Sequence, residues 1–414
     1  MKIFKFGGAS LKDAENIKKV CEIIKRETYR PLIVVVSAFY NITNLLEKLW
    51  TFYINEEENY VYNQLEKIKK IHIEIVKCLG LKIKKVEKIF FELEECLKED
   101  VSLDYNYEYD KIVSFGELLS STIVSDYLNK LGIKVTFVDI RDCLITDSNY
   151  KEANVDIETS KHFIKKKFNR KKLYITQGFI GSTMNKLTTT LGREGSDYTA
   201  ALLGNILSAK SVTIWKDVPG VLTADPKIMK NYTLIEEMSY DEAIELAYYG
   251  AQIIHPKTIK PLQNKSIPLF VKYYEKPDHK GTVIHNTNQN LKYKPIYIFK
   301  FNQCLLSIKT KDFSFIAEEN LKLIFNTLSD FKIKTNLLQQ TAIAVFLCVD
   351  YDEKKIFAAY NYLKKFFDIK IETNLTLLTI RHYTLKALAE QINSKKIIIE
   401  DINRNTAKLV YVNE

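Results

Sequence analysis

The stretch KIFKFGGASLKDAENIKKVCEIIKRETYRPLIVVVSAF, Lys2 to Phe39, decides the fold. IFKF alternates as a short strand and stops at Gly7 and Gly8. Ser10 can then cap a helix whose apolar positions, Ala14, Ile17, Val20, Ile23 and Ile24, recur at helical spacing. RPLIVVVSAF runs apolar without alternation up to Ser37, as a strand buried on both faces of a parallel sheet does. Strand, glycine turn, helix and buried strand predict an α/β architecture with a site at the carboxyl ends of the strands.

Working outward, the pattern from Asn44 to about Glu99 is helical and rich in Lys and Glu, a lobe over one side of the sheet. Further strands read at GIKVTFVD, LYITQGFI, SVTIWKDV and IPLFVKY, separated by helical stretches such as GSDYTAALLGNIL and SYDEAIELAYYGAQII. The segment from about Glu275 to Lys294, with its Pro, Gly, His and Asn, reads as a domain boundary. Beyond it the order becomes strand, helix, strand, strand: CLLSIKT, AEENLKLIFNTLSDF, KIKTNLLQQ, IAVFLCVD. LTLLTIRH, YTLKALAEQI, KKIIIEDI and AKLVYV repeat that order in shorter form. Two small units in tandem suggest a ligand-sensing or dimerising appendage.

The 414 residues, 46% hydrophobic, suffice for two or three domains with their own cores. MKIFKFGG has no basic leader or cleavage site, and the longest apolar run, Leu32 to Val36, is far short of the ~20 residues that span a bilayer, so the chain is expected in the cytoplasm. Cys21, Cys78, Cys96, Cys143, Cys304 and Cys348 show no paired spacing, so neither a disulfide framework nor a zinc site is expected. The net charge of +10 and the basic run FIKKKFNRKK, Phe163 to Lys172, come with no nucleic-acid-binding motif. A solvated helix end and an AT-rich coding bias explain them.

Two segments carry chemistry. KFGGAS, Lys5 to Ser10, supplies glycines whose N–H groups can approach a phosphate closely, a lysine on the preceding strand and a serine at the helix start; a plain βα turn explains the glycines equally well. TLGREGSDYTAALL sets Arg193 and Asp197 beside a flexible turn before an apolar helix. Arginine can grip a carboxylate through two parallel hydrogen bonds and an acid can receive an ammonium, which together describe an amino-acid pocket. Glu117 in SFGELLS is a second candidate for the ammonium, with a helix-start acid favoured by the dipole as the plainer reading.

KFGGAS, VVVSAFYNITNLL, SFGELLSS, TQGFIG, TTTLGREGSDYTAALL, WKDVPGVLTADPK and YYGAQIIHPKTI, in that order, resemble the aspartate kinases of the amino-acid kinase superfamily, most of all the lysine-sensitive monofunctional type. The resemblance implies an amino-acid kinase fold, a largely parallel sheet between helical layers, over residues 1–288. It implies a regulatory and dimerising region over 294–414 with two ACT-like units, one over about 303–373 and a shortened one over about 374–414 plus 294–301. A homodimer or dimer of dimers through that region is expected, with no fused homoserine dehydrogenase. The implied reaction is ATP-dependent phosphorylation of the L-aspartate side chain, an early step of lysine, threonine and methionine biosynthesis, with Mg²⁺ held mainly by the phosphates.

By the same resemblance Lys5, Arg193 and Asp197 are catalytic, and Ser37, Thr43, Glu117, Arg193, Ser196 and Asp197 bind aspartate. The nucleotide falls to Lys5, Phe6, Gly7, Gly8 and Ser10, and to Lys216, Asp217, Leu222, Asp225, Lys227, Gln252 and Ile253. Four positions depart from the family pattern. Glu194 stands for a glycine, Lys216 for a threonine, Leu222 for a tyrosine and Gln252 for a lysine, the loss of charge at 252 being offset by Lys216. A carboxylate at 194 would repel the reacting anions unless it turns to solvent or meets a cation. These departures leave a second reading open, a catalytically weak regulatory or sensor relative. In the tail the family's Ser-Arg-Gly is Asp312-Phe313-Ser314, and its acidic effector segment is Thr335 to Ala342, so inhibition by lysine is expected to be weak or absent.

Overall fold

In the computed structural model all residues are described except 170, 252, 253, 288–290, 313, 394 and 414. The chain forms two compact units, the first comprising Met1–Val221, Leu234–Ile244 and Ile253–Gln289, the second Leu222–Thr233, Glu245–Gln252 and Asn290–Glu414.

The first unit is built on β1 (Lys2–Phe6), β2 (Leu32–Val36), β3 (Val135–Phe137), β4 (Leu173–Gln177), the hairpin β5 (Ile180–Ser182) and β6 (Thr188–Thr190), and β7 (Ser211–Lys216). Its eight-stranded sheet runs Glu237–Ser239, Thr282–His285, Leu269–Tyr273, β7, β1, β2, β4, β3. All neighbours are parallel except Leu269–Tyr273 with Thr282–His285. The stretch read as a boundary thus contains a sheet strand, too short at four residues to stand out among its Pro, Gly and His neighbours. Register places Phe6 opposite both Val36 and Trp215, and Val36 opposite Gln177. The residues that follow, Gly7, Ser37, Lys216 and Gly178, therefore emerge at one edge of the sheet.

All five residues of β2 are fully buried, as an unbroken Leu-Ile-Val-Val-Val run requires. β1 is buried on both faces too, so its apparent alternation does not mark a solvent face; Lys5 is inside because it has an ionic partner. The first helix, α1 (Ala14–Arg26), is capped by Asp13, whose side chain accepts the Asn16 N–H. This corrects the expected cap at Ser10, which sits in a tight turn over Gly8–Leu11 and donates its hydroxyl to the Gly7 carbonyl at 2.7 Å.

The expected helical lobe is α2 (Ile42–Ile54), α3 (Glu58–Cys78), α4 (Lys84–Lys98) and α5 (Tyr105–Val113), leading into the largely buried α6 (Phe115–Lys130). After α7 (Ile157–Lys167), whose exposed last-turn lysines account for the basic run, α8 (Gly195–Ile206) packs on β1, β2 and β7 and along the helix Pro256–Gln263. Among the described residues no helix is long and apolar enough to cross a membrane. All six cysteines are free, and four are buried.

The second unit holds a six-stranded antiparallel sheet ordered Thr335–Gln340, Ala344–Asp350, Ile296–Thr310, Phe367–Arg381, Thr406–Val412, Ile397–Ile402. The two 15-residue strands at its centre run through both strand-helix-strand-strand repeats, so the repeats share one continuous sheet.

Candidate functional site

At the carboxyl edge of the first unit's sheet a cavity of about 700 Å³ opens. Lys5, Ser37, Thr43 and Glu117 line it, and α8 adds Ser196 and Asp197. Arg193, Glu194 and Lys216 join them, so nine of the residues singled out in the sequence meet here although they are drawn from five of the quoted stretches.

Its centre is an ion pair. Lys5, one residue before the end of β1, places Nζ 2.6 Å from Oδ1 of Asp197 in the first turn of α8. Lys216, the last residue of β7, approaches the other oxygen at 3.8 Å. Burial by itself would raise the Asp197 pKa; the Lys5 and Lys216 ammonium groups outweigh it and hold the carboxyl below its ordinary range. Asp197 stays ionised, and its charge is matched from two sides.

Glu117 behaves oppositely. It lies in the first turn of α6, and its Oε1 accepts the Ala38 N–H at 3.2 Å. Its Oε2 is buried with no hydrogen-bond partner among the described residues. Burial dominates over that hydrogen bond and the field of Lys5, pushing the carboxyl up to about 8. A buried oxygen without a partner is a costly arrangement unless a ligand supplies the donor. Gly116 permits it: a Cβ there would come within 2.9 Å of the Ala38 side chain.

The turn before α8 is tightly determined. Gly192 and Glu194 both have left-handed backbone, at φ 73° and 54°. A Cβ on Gly178 would stand 2.5 Å from Ser196, so the end of β4 touches the start of α8. Arg193 is exposed on the cavity rim. The half-buried Glu194 carboxylate is met by a backbone donor: its Oε2 accepts the N–H of His255 at 2.8 Å. That donor is 61 residues away and invisible to local pattern.

Thr43 sits in the first turn of α2, which follows Asn41 at φ 63°. Phe6 is core, stacked on Trp215 with ring centroids 5.8 Å apart. Gly7 and Gly8 form the turn after β1, where a Cβ on Gly8 would come 3.2 Å from the Ala38 carbonyl. Asp217 is exposed after β7. Leu222, Asp225 and Lys227 belong to the second unit, the latter two in an exposed turn where the Asp225 carboxylate accepts the Lys227 N–H at 2.8 Å. Gln252 and Ile253 lie outside the described residues.

Four lining groups went unread in the sequence: Glu47, Tyr109, Lys151 and Glu152. Tyr109 donates its hydroxyl to Glu47 at 2.7 Å. The Lys151 ammonium lies 4.5 Å from the Trp50 ring centroid and 4.4 Å from that of Tyr109. Nothing in their neighbourhoods forms a motif. A cavity lined by Lys5, Lys151, Arg193 and Lys216 and by the carboxyl groups of Asp197, Glu117, Glu47, Glu152 and Glu194 can hold an ammonium and anionic groups at once.

The model of the amino acid kinase family matches residues 1–273. The chain is 33% identical to the lysine-sensitive aspartokinase 3 of Escherichia coli strain K12, over 84% of its own length and 78% of that relative. It is 36% identical to the aspartokinase of Chlamydia trachomatis, over 65% of its own length and 61% of the relative, so it spans less than two thirds of that protein. The structure of E. coli aspartokinase III in complex with aspartate and ADP matches with a TM-score of 0.83 at 26% identity, covering 100% of this chain and 96% of that one.

Proposed function

Because this chain belongs to the aspartokinases, within the amino acid kinase family, we propose that it transfers the γ-phosphoryl group of ATP to the side-chain carboxylate of L-aspartate. The products are 4-phospho-L-aspartate and ADP. The single observation that carries this reading is the cavity in which the Lys5–Asp197 pair faces the open oxygen of Glu117. The E. coli relative that matches over the whole chain was solved with aspartate and ADP.

An aspartate side chain with a pKa of ~3.9 is ionised at neutral pH and needs no general base. One of its oxygens attacks the γ-phosphorus, and the bond to the oxygen bridging the β- and γ-phosphates breaks, leaving with ADP. The obstacle is repulsion between anions, so the protein's part is alignment and positive charge. In this reading Lys5 bears on the transferred group, with the N–H groups of the Gly7-Gly8 turn beside it. Arg193 holds the α-carboxylate, and Glu117 and Asp197 receive the ammonium. Ser37, Thr43 and Ser196 position the substrate. The nucleotide lies toward Lys216 and Asp217 at the end of β7.

Among the described residues no group of three or more His, Cys, Asp or Glu side chains is placed to hold a metal ion. In this reading Mg²⁺ comes in on the nucleotide, where it would offset phosphate charge. We also propose that the second unit pairs with that of another copy. Its sheet ends in the edge strands Thr335–Gln340 and Ile397–Ile402, which offer unpaired backbone groups.

The test is ADP release with aspartate, ATP and Mg²⁺, with the acyl phosphate trapped by hydroxylamine. Aspartate-dependent ADP and hydroxamate are expected. Faster turnover of glutamate, carbamate or a nucleoside monophosphate would overturn the assignment.

A further inference from the structure

We propose that Lys151 is a specificity-determining residue of this site, its ammonium gripping the substrate carboxylate that is not phosphorylated; the proposal rests on the aspartate reading above. Lys151 holds a left-handed backbone, φ 71°, a conformation that a residue with a side chain adopts at a cost. The turn is fixed from behind. The Lys151 N–H donates to both oxygens of the fully buried Asp110, at 3.0 and 3.1 Å, and Asp110 also accepts the N–H and hydroxyl of Thr190 at 2.8 and 2.6 Å.

The side chain is held as well. Its ammonium sits in the corner of the edge-to-face pair Trp50–Tyr109, whose ring centroids are 5.4 Å apart, and each ring is tied down by its own polar group, Trp50 Nε1 to the Tyr105 carbonyl at 3.0 Å and the Tyr109 hydroxyl to Glu47. Two adjoining aromatic rings orient a cation without neutralising it. No carboxylate oxygen of a described residue lies within 4.0 Å of this ammonium, whereas Lys5 and Lys216 are both committed to Asp197. Lys151 thus brings a pre-positioned positive charge with no acidic partner to the cavity wall formed by the helical lobe. The reacting carboxylate has to face the phosphate at the sheet edge, near Lys5. The substrate group turned toward the lobe is the other carboxylate, and Lys151 supplies a second grip beside Arg193.

Lys151→Met, which keeps the length and apolar stem, and Lys151→Arg test this by kinetics and by calorimetric binding of aspartate. The Met variant should raise KM and Kd for aspartate at least about tenfold while kcat and KM for ATP change less than about twofold. The Arg variant should stay within about threefold of the parent. L-aspartic acid α-amide, which lacks the gripped charge, should bind parent and Met variant alike. Unchanged aspartate binding in the Met variant, or an equal loss for the α-amide, would overturn the proposal. A parent chain that binds aspartate in a Lys151-dependent way without phosphorylating it would sink the kinase reading and leave this one standing; a parent that binds no aspartate would sink both.

Discussion

Lys5 and Glu117 face the same cavity with opposite electrostatics, and each gives a distinct expectation. Lys5 is neutralised by Asp197 in the free protein, so its charge becomes useful when phosphate competes for it. Replacing it with alanine should lower kcat by roughly 10²–10³-fold while KM for aspartate changes little, as expected for a donor aimed at charge developing in the transition state. Steady-state kinetics decide this, and near-normal turnover would remove Lys5 from the mechanism. Glu117, pushed up to about 8 by burial, is neutral in the empty site at pH 7. An ammonium ligand requires it ionised, so below about pH 8 aspartate binding must expel a proton. KM for aspartate should therefore fall with rising pH, approaching about tenfold per unit, and level off above about 8. Glu117→Gln should flatten that dependence. The same shift acts on stability with the sign of a raised acid: the folded chain keeps a proton that the unfolded chain has lost, so this contribution declines from the ordinary carboxylate range up to about pH 8. Pocket chemistry at this scale was legible in sequence because Arg193, Ser196 and Asp197 fall within five residues. The destination of the Glu194 carboxylate was not, because its donor comes from the distant His255 backbone.

At the scale of elements, the decisive contact is the one between the end of β4 and the first turn of α8. Gly178 leaves no room for a side chain there, since a Cβ would meet both the Cα and the Cβ of Ser196 at 2.7 and 2.5 Å. Ser196 is the residue before Asp197, so a shift of the helix start moves the central ion pair. Gly178→Ala should cost about 1–3 kcal/mol of stability, the range for overpacking a well-filled interior, read from urea unfolding. It should also raise KM for aspartate. A variant with parental stability and kinetics would show that α8 can move without consequence. The strands around this contact were readable from their apolar runs, and α1 from its helical period. The cap of α1 was misplaced to Ser10 because the tight turn after Gly7 absorbs one extra turn of chain before Asp13.

At the scale of the whole molecule, the interior of the second unit bears on the expectation about lysine. Asn336 stands where the resemblance places an acid for a cationic effector. Its Oδ1 receives the Lys300 ammonium at 2.7 Å, and its Nδ2 donates to Gln303 at 2.8 Å and Asp350 at 2.9 Å. An amide whose polar atoms already serve the chain's own groups offers a free lysine molecule neither charge nor vacancy. Lysine up to several millimolar should leave aspartate-dependent activity within about twofold, measured by ADP release. Strong inhibition would show that the effector is received elsewhere.

The α/β class, most of the strands and helices and the repeated tail were legible in the chain because they rest on short-range periodicity; Arg193 and Asp197 were legible as near neighbours, and the other lining residues came from the family resemblance. The rest depends on contacts between distant segments. The aromatic corner of Trp50 and Tyr109 and the Lys151 cation set against it come from segments about 100 and 40 residues apart, joined through buried Asp110. The proton on Glu117 depends on how completely α6 is covered. Burial and through-space charge depend on packing, and no local pattern encodes them.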